Sequence, residues 1–153
     1  MKIILGADHA GYELRKAMAE RASSGGHVTA EVGALDDKGF DYPIASDEVV
    51  EGVLSRKFDI GVITCGTGIG VAIRANRHPG IRAANCCSPE MARLARQHNH
   101  ANVLCVGARI LGKEEALAIL ETFMSTPTSQ EERHVRRVGL LDAPGIIAEK
   151  QAL

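Results

Sequence analysis

Short apolar runs alternate with amphipathic segments along the chain. The apolar runs predict strands, and the segments in which apolar residues recur every three or four positions predict helices. The predicted strands cover residues 2–5, 28–32, 60–65, 81–85 and 103–106. The predicted helices cover residues 11–22, 44–54 and 68–75, a segment that starts at Pro89, residues 113–124, and a last segment after a break at 125–129. This strict alternation predicts an α/β fold in which helices flank both faces of a five-stranded parallel sheet.

Length and composition narrow the class of partner. The 153 residues fit one domain, with 45% apolar and 24% charged residues. Only 3% of residues are aromatic and none is Trp, which argues against a platform that stacks nucleic-acid bases. The net charge of −1 gives no reason to expect a nucleic acid or an acidic membrane as partner. A site for an anion must therefore be local.

The start of the chain, its longest weakly polar stretch and the spacing of its cysteines predict the cellular compartment. The chain runs from Met1 directly into a strand-like segment, with no apolar stretch of signal-peptide length. The longest weakly polar stretch, 60–73, is too short and too rich in glycine to span a bilayer. The four cysteines have no CxxC spacing, so we expect reduced thiols and neither disulfides nor a zinc cage. We expect a cytoplasmic protein.

The third predicted strand carries the most informative motif. It ends at Cys65, and the loop Gly66-Thr67-Gly68-Ile69-Gly70 follows at once. Glycines allow a sharp turn and bring backbone N–H groups close to an anion. A thiol at the start of a helix lies in a positive field that favours the thiolate. The motif predicts a base or nucleophile beside an anion cradle; the alternative is an ordinary turn after a small buried cysteine.

Polar residues also follow two other predicted strands. Asp8 and His9 come after the first strand, and Arg109 follows the fifth. Ligands of parallel sheets bind at the carboxyl ends of the strands, so these side chains are candidates for the same site. The alternatives are that Asp8 caps a helix, that His9 is a surface loop residue and that Arg109 is solvated.

A histidine closes the apolar face of the helix that starts at Pro89. Positions at spacings of 0, 3, 4 and 7 are expected to face inward, namely Met91, Leu94, Ala95 and His98. His98 is thus a candidate acid or base, although a hydrogen-bonded core histidine is the alternative. Asn99 beside it is either a substrate contact or a C-cap of the helix.

Two more features complete the set of candidates. Tyr42 precedes a proline, which predicts an extended tyrosine that closes or anchors the loop before it. Arg133 and Arg137 lie four residues apart on one face of the last helix, where like charges repel. Two guanidinium groups at this spacing suit a bound phosphate. A solvated face relieved by neighbouring glutamates is the alternative.

Other site classes fit poorly. The Cys-x5-Arg pattern of tyrosine phosphatases would need arginine at Val71, and the first arginine is Arg74. The first strand lacks a GxGxxG sequence, so a dinucleotide site is weakly supported. His98 and His100 lie on different faces of a helix, and no metal-ligand spacing is present. A sugar-phosphate sensor without catalysis stays open, since only Cys65 and His98 argue for chemistry.

Nine short motifs, taken together, resemble the ribose-5-phosphate isomerase B family, which also contains the galactose-6-phosphate isomerase subunits. They occur in order from residue 2 to about 138. The motifs are Gly6-x-Asp8-His9-Ala10-Gly11, Asp41-Tyr42-Pro43, Cys65-Gly66-Thr67-Gly68-Ile69-Gly70, Ala75-Asn76-Arg77, Gly80-Ile81-Arg82-Ala83, Arg96-Gln97-His98-Asn99, Asn102-Val103-Leu104, Gly107-Ala108-Arg109 and Arg133-His134-x-x-Arg137. The resemblance implies a Rossmann-like three-layer sandwich, no metal or other cofactor, and a homodimer, possibly a tetramer, with active sites shared between subunits.

The resemblance also implies roles for individual residues. Cys65 is the expected base that moves a proton between C1 and C2 of an aldose phosphate, and His98 is the expected acid that opens the sugar ring, with Asp8 nearby. The expected cradle for the enediolate oxygens is Gly66, Thr67, Gly68, Ile69 and Gly70. The expected phosphate ligands are His9, Arg109, Arg133 and Arg137. Asn99 and Tyr42 are expected substrate contacts.

The resemblance leaves the sugar open. Ala34 and the loop 35–40 depart from the common family sequence. Ribose 5-phosphate is the expected substrate, and allose 6-phosphate, galactose 6-phosphate and a tetrose phosphate are the alternatives. We expect residues 1–153 to form one isomerase domain, with the segment 128–153 packed on a partner subunit.

Overall fold

The computed structural model of the chain describes residues 1–143, in which strands and helices alternate. The strands are β1 (Lys2–Ala7), β2 (Val28–Gly33), β3 (Ile60–Cys65), β4 (Ala83–Asn85) and β5 (Val103–Gly107). The helices are α1 (Tyr12–Ser24), α2 (Tyr42–Leu54), α3 (Ile69–Ala75), α4 (Pro89–Asn99), α5 (Lys113–Ser125) and α6 (Glu132–Asp142).

The five strands form one parallel sheet in the order β2-β1-β3-β5-β4. β3 lies in the middle, where Ile60 pairs with Ile3 of β1 and Cys65 pairs with Gly107 of β5. All six residues of β3 are buried, which explains its continuous apolar sequence. The predicted five-stranded parallel sheet is confirmed, and its strands end at a common carboxyl edge.

Helices cover both faces of the sheet, and each face has its own core. On one face α1, α4 and α5 bury side chains such as Met18, Ala95 and Phe123. On the other face α2 and α3 bury side chains such as Val49 and Val71. The predicted Rossmann-like three-layer sandwich is therefore confirmed.

β4 is shorter than the predicted strand, which began at residue 81. The Arg82 N–H donates to the side-chain oxygen of Asn102 at 2.8 Å. The Arg82 N–H therefore bonds to a side chain and not to a neighbouring strand, and regular pairing with β5 starts only at Ala83. β4 lies at the edge of the sheet, where short strands are common.

The predicted extended conformation of Tyr42 in a loop is wrong, because Tyr42 is the first residue of α2. The extended residue is Asp41, with φ −76° and ψ 115°. Pro43 lies in the first turn of the helix, where its missing N–H would have had no helical partner. The helix therefore begins before the proline, at Tyr42, and includes the proline in its first turn.

The predicted inward face of α4 is also wrong in part. Its buried residues are Ala92 and Ala95, whereas Met91 is 45% exposed. Two alanines three residues apart form a small-residue face that packs against the sheet and α5. His98 is half-buried near the end of the helix.

α6 packs against α4 and not over the carboxyl edge of the sheet. Near its end, Nη1 of Arg82 contacts Oδ2 of Asp142 at 2.8 Å. Residues 144–153, which belong to the segment predicted to pack on a partner subunit, lie outside the described residues.

Candidate active site

Cys65 is the last residue of β3, and its side chain is held from one side by the loop that follows. The thiol is 5% exposed. The backbone N–H of Gly68 donates to Sγ of Cys65 at 3.1 Å. A donor aimed at the sulfur stabilises negative charge on that atom. The sulfur therefore lies at the start of the glycine loop, where the Gly68 N–H can stabilise a thiolate.

The loop 66–70 is shaped by close approach of its neighbours. Gly68 has φ +78°, and a Cβ on this residue would collide with the side-chain oxygen of Asn85. A Cβ on Gly70 would lie 2.8 Å from Cε2 of Tyr42. Within the loop, Oγ1 of Thr67 accepts from the N–H of Ile69 at 3.3 Å. Glycine is required at positions 68 and 70 because the backbone there has no room for a side chain.

Asp8 and His9 lie in the turn after β1, beside the end of β3. Asp8 is 6% exposed, and its Oδ1 accepts from the Gly11 N–H at 2.9 Å, so it does brace this turn. Nδ1 of His9 accepts from the N–H of Phe40 at 3.4 Å. Because Nδ1 is an acceptor, the proton of the neutral ring is assigned to Nε2. His9 therefore has a donor left for a ligand.

Arg109 reaches the same loop from the end of β5. Its N–H donates to the carbonyl oxygen of Gly66 at 3.0 Å. A Cβ on Gly66 would lie 3.5 Å from Nη1 of Arg109, so the guanidinium group lies along this glycine. The structure thus brings together a first set of candidates, which we call the carboxyl-edge cluster: Asp8, His9, Tyr42, Cys65, Gly66, Thr67, Gly68, Ile69, Gly70 and Arg109.

The remaining candidates form a second set, the α4–α6 cluster, which comprises His98, Asn99, Arg133 and Arg137. α4 starts after β4 at the carboxyl edge and runs 11 residues, about 15 Å, back to the start of β5. His98 and Asn99 stand at the far end of this helix. One chain therefore keeps His98 at the opposite edge of the sheet from Cys65, so the two clusters do not meet within a single chain.

Side chains of the α4–α6 cluster differ in their burial. Asn99 is exposed and is the last residue of α4, while the C-cap is His100 with φ +48°. Arg133 and Arg137 are exposed on α6. Nε of Arg133 donates to Oε2 of Glu131 at 2.7 Å, which leaves Arg137 as the more available guanidinium group. A cavity of about 220 Å³ beside His98 is lined in part by Gln97, Ser129 and His134.

Comparison with known proteins gives the class of the chain. Residues 3–141 match the family described as Ribose/Galactose Isomerase. The chain belongs to this family. Ribose-5-phosphate isomerase B of Mycobacterium tuberculosis is 39% identical over 92% of this chain and 88% of the relative. The Escherichia coli protein of the same name is 35% identical over 93% and 95%. The resemblance drawn from the nine motifs is confirmed.

Solved structures of ribose/galactose isomerase family members have the same fold. A ribose 5-phosphate isomerase from Thermotoga maritima superposes with a TM-score of 0.89 at 42% identity, covering 92% of this chain and 97% of that one. Ribose-5-phosphate isomerase B from Clostridium thermocellum gives 0.90 at 41% identity, covering 93% and 95%. Both carry the α/β arrangement of this chain.

Two residues were not assigned roles from the sequence, although one of them, His134, belongs to a family motif. Asn85 ends β4, and its side-chain oxygen is buried against the glycine loop with no hydrogen-bond partner in residues 1–143. Its position at the end of a predicted strand could have identified it, because the carboxyl ends of parallel strands meet at one edge of the sheet. His134 is 4% exposed and stacks on His98. Its spacing of four residues from Val138 could have indicated that it lies on the buried face of the helix.

Two other cysteines of this isomerase-family chain are buried without a partner for charge. Burial raises the pKa of Cys86 to about 12 and also raises the pKa of Cys105 well above its usual value. Both thiols are therefore neutral near pH 7. Cys87 is exposed.

Within 1–143, no helix combines the length and apolar character needed to cross a bilayer. Over the same range, no three His, Cys, Asp or Glu side chains are grouped as ligands for a metal ion.

Proposed function

We propose that this protein is an aldose–ketose isomerase that interconverts D-ribose 5-phosphate and D-ribulose 5-phosphate. The observation that carries the proposal is the contact between Sγ of Cys65 and the Gly68 N–H, at the start of a loop rich in glycine. It puts the proposed base beside backbone donors, which is the arrangement that moving a proton between two carbons requires. Membership of the Ribose/Galactose Isomerase family and the names of the relatives support the same reaction.

In the proposed mechanism Cys65 moves one proton. Its thiolate removes the proton from C2 of the open-chain aldose, and the C1 carbonyl oxygen takes up negative charge and then a proton, which gives an enediol(ate). The thiol returns its proton to C1 while the C2 hydroxyl loses its own and becomes the new carbonyl. Backbone N–H groups of the loop 66–70 stabilise the charged oxygens. These N–H groups make the main electrostatic contribution to stabilising the enediolate. Thr67 lies within this cradle.

We propose that His98 opens the sugar ring before this step. Its imidazolium donates a proton to the ring oxygen as the C1–oxygen bond breaks, and the C1 hydroxyl proton leaves to a base, with Asp8 nearby. Proton transfer by a positioned side chain typically accelerates a reaction by about 10²–10⁴-fold. Asn99 and Tyr42 are proposed to bind sugar hydroxyls.

We propose that a second copy of the chain supplies His98. About 15 Å of helix separates the start of α4, at the carboxyl edge, from its end. A homodimer in which the α4–α6 cluster of one subunit faces the carboxyl-edge cluster of its partner would complete the site. Ile69 and Ile73 are exposed apolar side chains on α3, the helix after the glycine loop, and they suit a surface covered by a partner. In this arrangement the exposed face of α6, which carries Arg133 and Arg137, packs on the partner. A tetramer would be a pair of such dimers.

The phosphate is proposed to bind four basic side chains, namely His9, Arg109, Arg133 and Arg137. His9 offers Nε2–H, and Arg109 lies along Gly66. Arg133 and Arg137 come from α6 of the other subunit. Binding of the phosphate away from the reacting carbons holds the sugar against Cys65. The free thiols suit a reducing compartment, and we propose the cytoplasm.

A panel of aldose phosphates tests the proposed function. The protein is incubated with ribose 5-phosphate, allose 6-phosphate, galactose 6-phosphate and erythrose 4-phosphate, each with and without EDTA, and ketose formation is measured. We expect turnover of ribose 5-phosphate with the highest kcat/KM and no effect of EDTA. A different best substrate would change the sugar, and binding of ribose 5-phosphate without turnover would indicate a sensor.

A further inference from the structure

His134 lies at a position where an amphipathic helix normally buries an apolar side chain. The buried residues of α6 are His134 and Val138, four positions apart, and they face α4. The imidazole of His134 is stacked on that of His98, with ring centroids 4.3 Å apart and planes 5° from parallel. Two flat rings in this arrangement restrict each other's rotation, because tilting either ring breaks the contact across the whole face.

Hydrogen bonds do not explain why position 134 is a histidine. Nδ1 of His134 is buried and has no hydrogen-bond partner among residues 1–143. Nε2 lies 3.8 Å from Oε2 of Glu131, which is too long for a hydrogen bond, and that oxygen already accepts from Arg133. What the ring contributes at this position is therefore its flat shape and its stacking face.

The charges around His134 favour its neutral form. Burial, then the positive charges of His98, Arg133 and Arg137, lower its pKa, and the carboxylate of Glu131 opposes them only in part. A neutral ring is a suitable neighbour for a histidine that gains and loses a proton, because the face of a neutral aromatic ring tolerates a cation while a second cation would repel it.

We propose that His134 is a positioning residue for His98, which fixes the plane of the His98 imidazole by stacking and leaves the exchange of protons to His98. This inference rests on the proposed role of His98 as the acid that opens the sugar ring. It assigns no contact between His134 and substrate. Both rings belong to the same chain, one on α4 and one on α6. In the proposed dimer the plane of the His98 ring would therefore be fixed before the ring meets the partner's site.

Two substitutions separate the shape of the ring from its mere volume. His134→Phe keeps a flat ring without nitrogens, and His134→Leu keeps an apolar side chain without a plane. We expect His134→Leu to lower kcat for ribose 5-phosphate by about tenfold or more, because small misplacements of a catalytic group are costly. We expect His134→Phe to retain kcat within about threefold. KM and the inhibition constant of inorganic phosphate, which report on Arg133 and Arg137, should change little in either variant.

NMR of the His98 ring protons gives a measurement that does not depend on turnover. Ring current from residue 134 should shift these signals in the unmodified protein and in His134→Phe, and the shift should be lost in His134→Leu. Equal loss of kcat in both variants, full kcat in His134→Leu, or a rise in KM and in the phosphate constant without a fall in kcat would each overturn the inference. Full activity of His98→Asn would refute the role of His98 and this inference with it, whereas an inactive unmodified protein would refute the proposed function. The NMR shifts would report the stacking in either case.

Discussion

The backbone N–H of Gly68 donates a 3.1 Å hydrogen bond to Sγ of Cys65, which joins the proposed base to the loop that is proposed to hold the substrate oxygens. The donor points at the sulfur because Gly68 adopts φ +78°, a conformation that residues with a side chain rarely adopt. Changes in the loop should therefore alter both functions of the site at once.

Gly68→Ala should damage this geometry. A Cβ there would collide with Asn85 and would lie 3.1 Å from the backbone nitrogen of Gly107, in a conformation that costs about 1–3 kcal/mol for a residue other than glycine. We expect kcat to fall by about 10²–10³-fold, the usual effect of losing a donor to a developing oxyanion. Steady-state kinetics and circular dichroism check it. Gly112→Ala is the matched control, since open space surrounds Gly112; full activity of folded Gly68→Ala would contradict the loop's role.

Cys65→Ala should remove the base and leave binding largely intact. We expect kcat to fall by about 10²–10⁴-fold, with KM within about threefold of the unmodified value, because the proposed phosphate ligands lie elsewhere. Cys87→Ser, a change at an exposed thiol, should leave both constants unchanged. Retention of full turnover by Cys65→Ala would make Cys65 a packing residue.

Alkylation should distinguish the four cysteines. Cys86 and Cys105 should resist iodoacetamide at pH 8, because burial raises their pKa values, that of Cys86 to about 12, and keeps the thiols protonated. Cys87 should be modified without loss of activity, and modification of Cys65 should follow inactivation and be slowed by ribose 5-phosphate. Peptide mass spectrometry gives the extent at each site. Inactivation that tracks Cys87 in place of Cys65 would argue against the proposed base.

Mixing two inactive variants tests whether sites are shared. Cys65→Ala lacks the base, and the double variant Arg133→Ala/Arg137→Ala lacks two proposed phosphate ligands. A hybrid dimer would contain one site with both Cys65 and the arginines intact, so we expect up to about a quarter of the unmodified activity after random exchange. Native mass spectrometry of the mixture demonstrates exchange. No recovery in exchanged hybrids would mean that each site is built from one chain.

The buried His134 predicts a loss of stability in mild acid. Its pKa is lowered in the folded protein, so between that value and about 6.5 the unfolded chain binds a proton that the folded chain does not. The free energy of unfolding should therefore decrease as the pH falls from 7.5 to 5.5, and it should decrease less in His134→Leu. Urea unfolding at one fixed protein concentration measures the difference. Equal decreases in both proteins would remove His134 as a source of the acid sensitivity.

Local patterns in the sequence were enough to predict the sheet and the positions of one half of the proposed site. The continuous apolar run that ends at Cys65 predicts the central strand with its correct bounds, because a strand buried on both faces must be apolar throughout. The start of α4 is also local, since Oγ of Ser88 accepts from the Met91 N–H at 3.2 Å as a helix cap. Parallel strands end at one edge, so Asp8 and Arg109 were correctly expected beside Cys65.

Only the tertiary structure decided where the other half of the proposed site lies. The inward face of α4 belongs to Ala92 and Ala95 because the packing partners of the helix select among its faces, and periodicity alone favoured Met91. The distance of His98 from Cys65 follows from the direction in which α4 crosses the sheet. The stack of His134 on His98 joins two helices that are far apart in sequence. Local propensity carries no information about such contacts, since they depend on which surfaces meet when the layers pack.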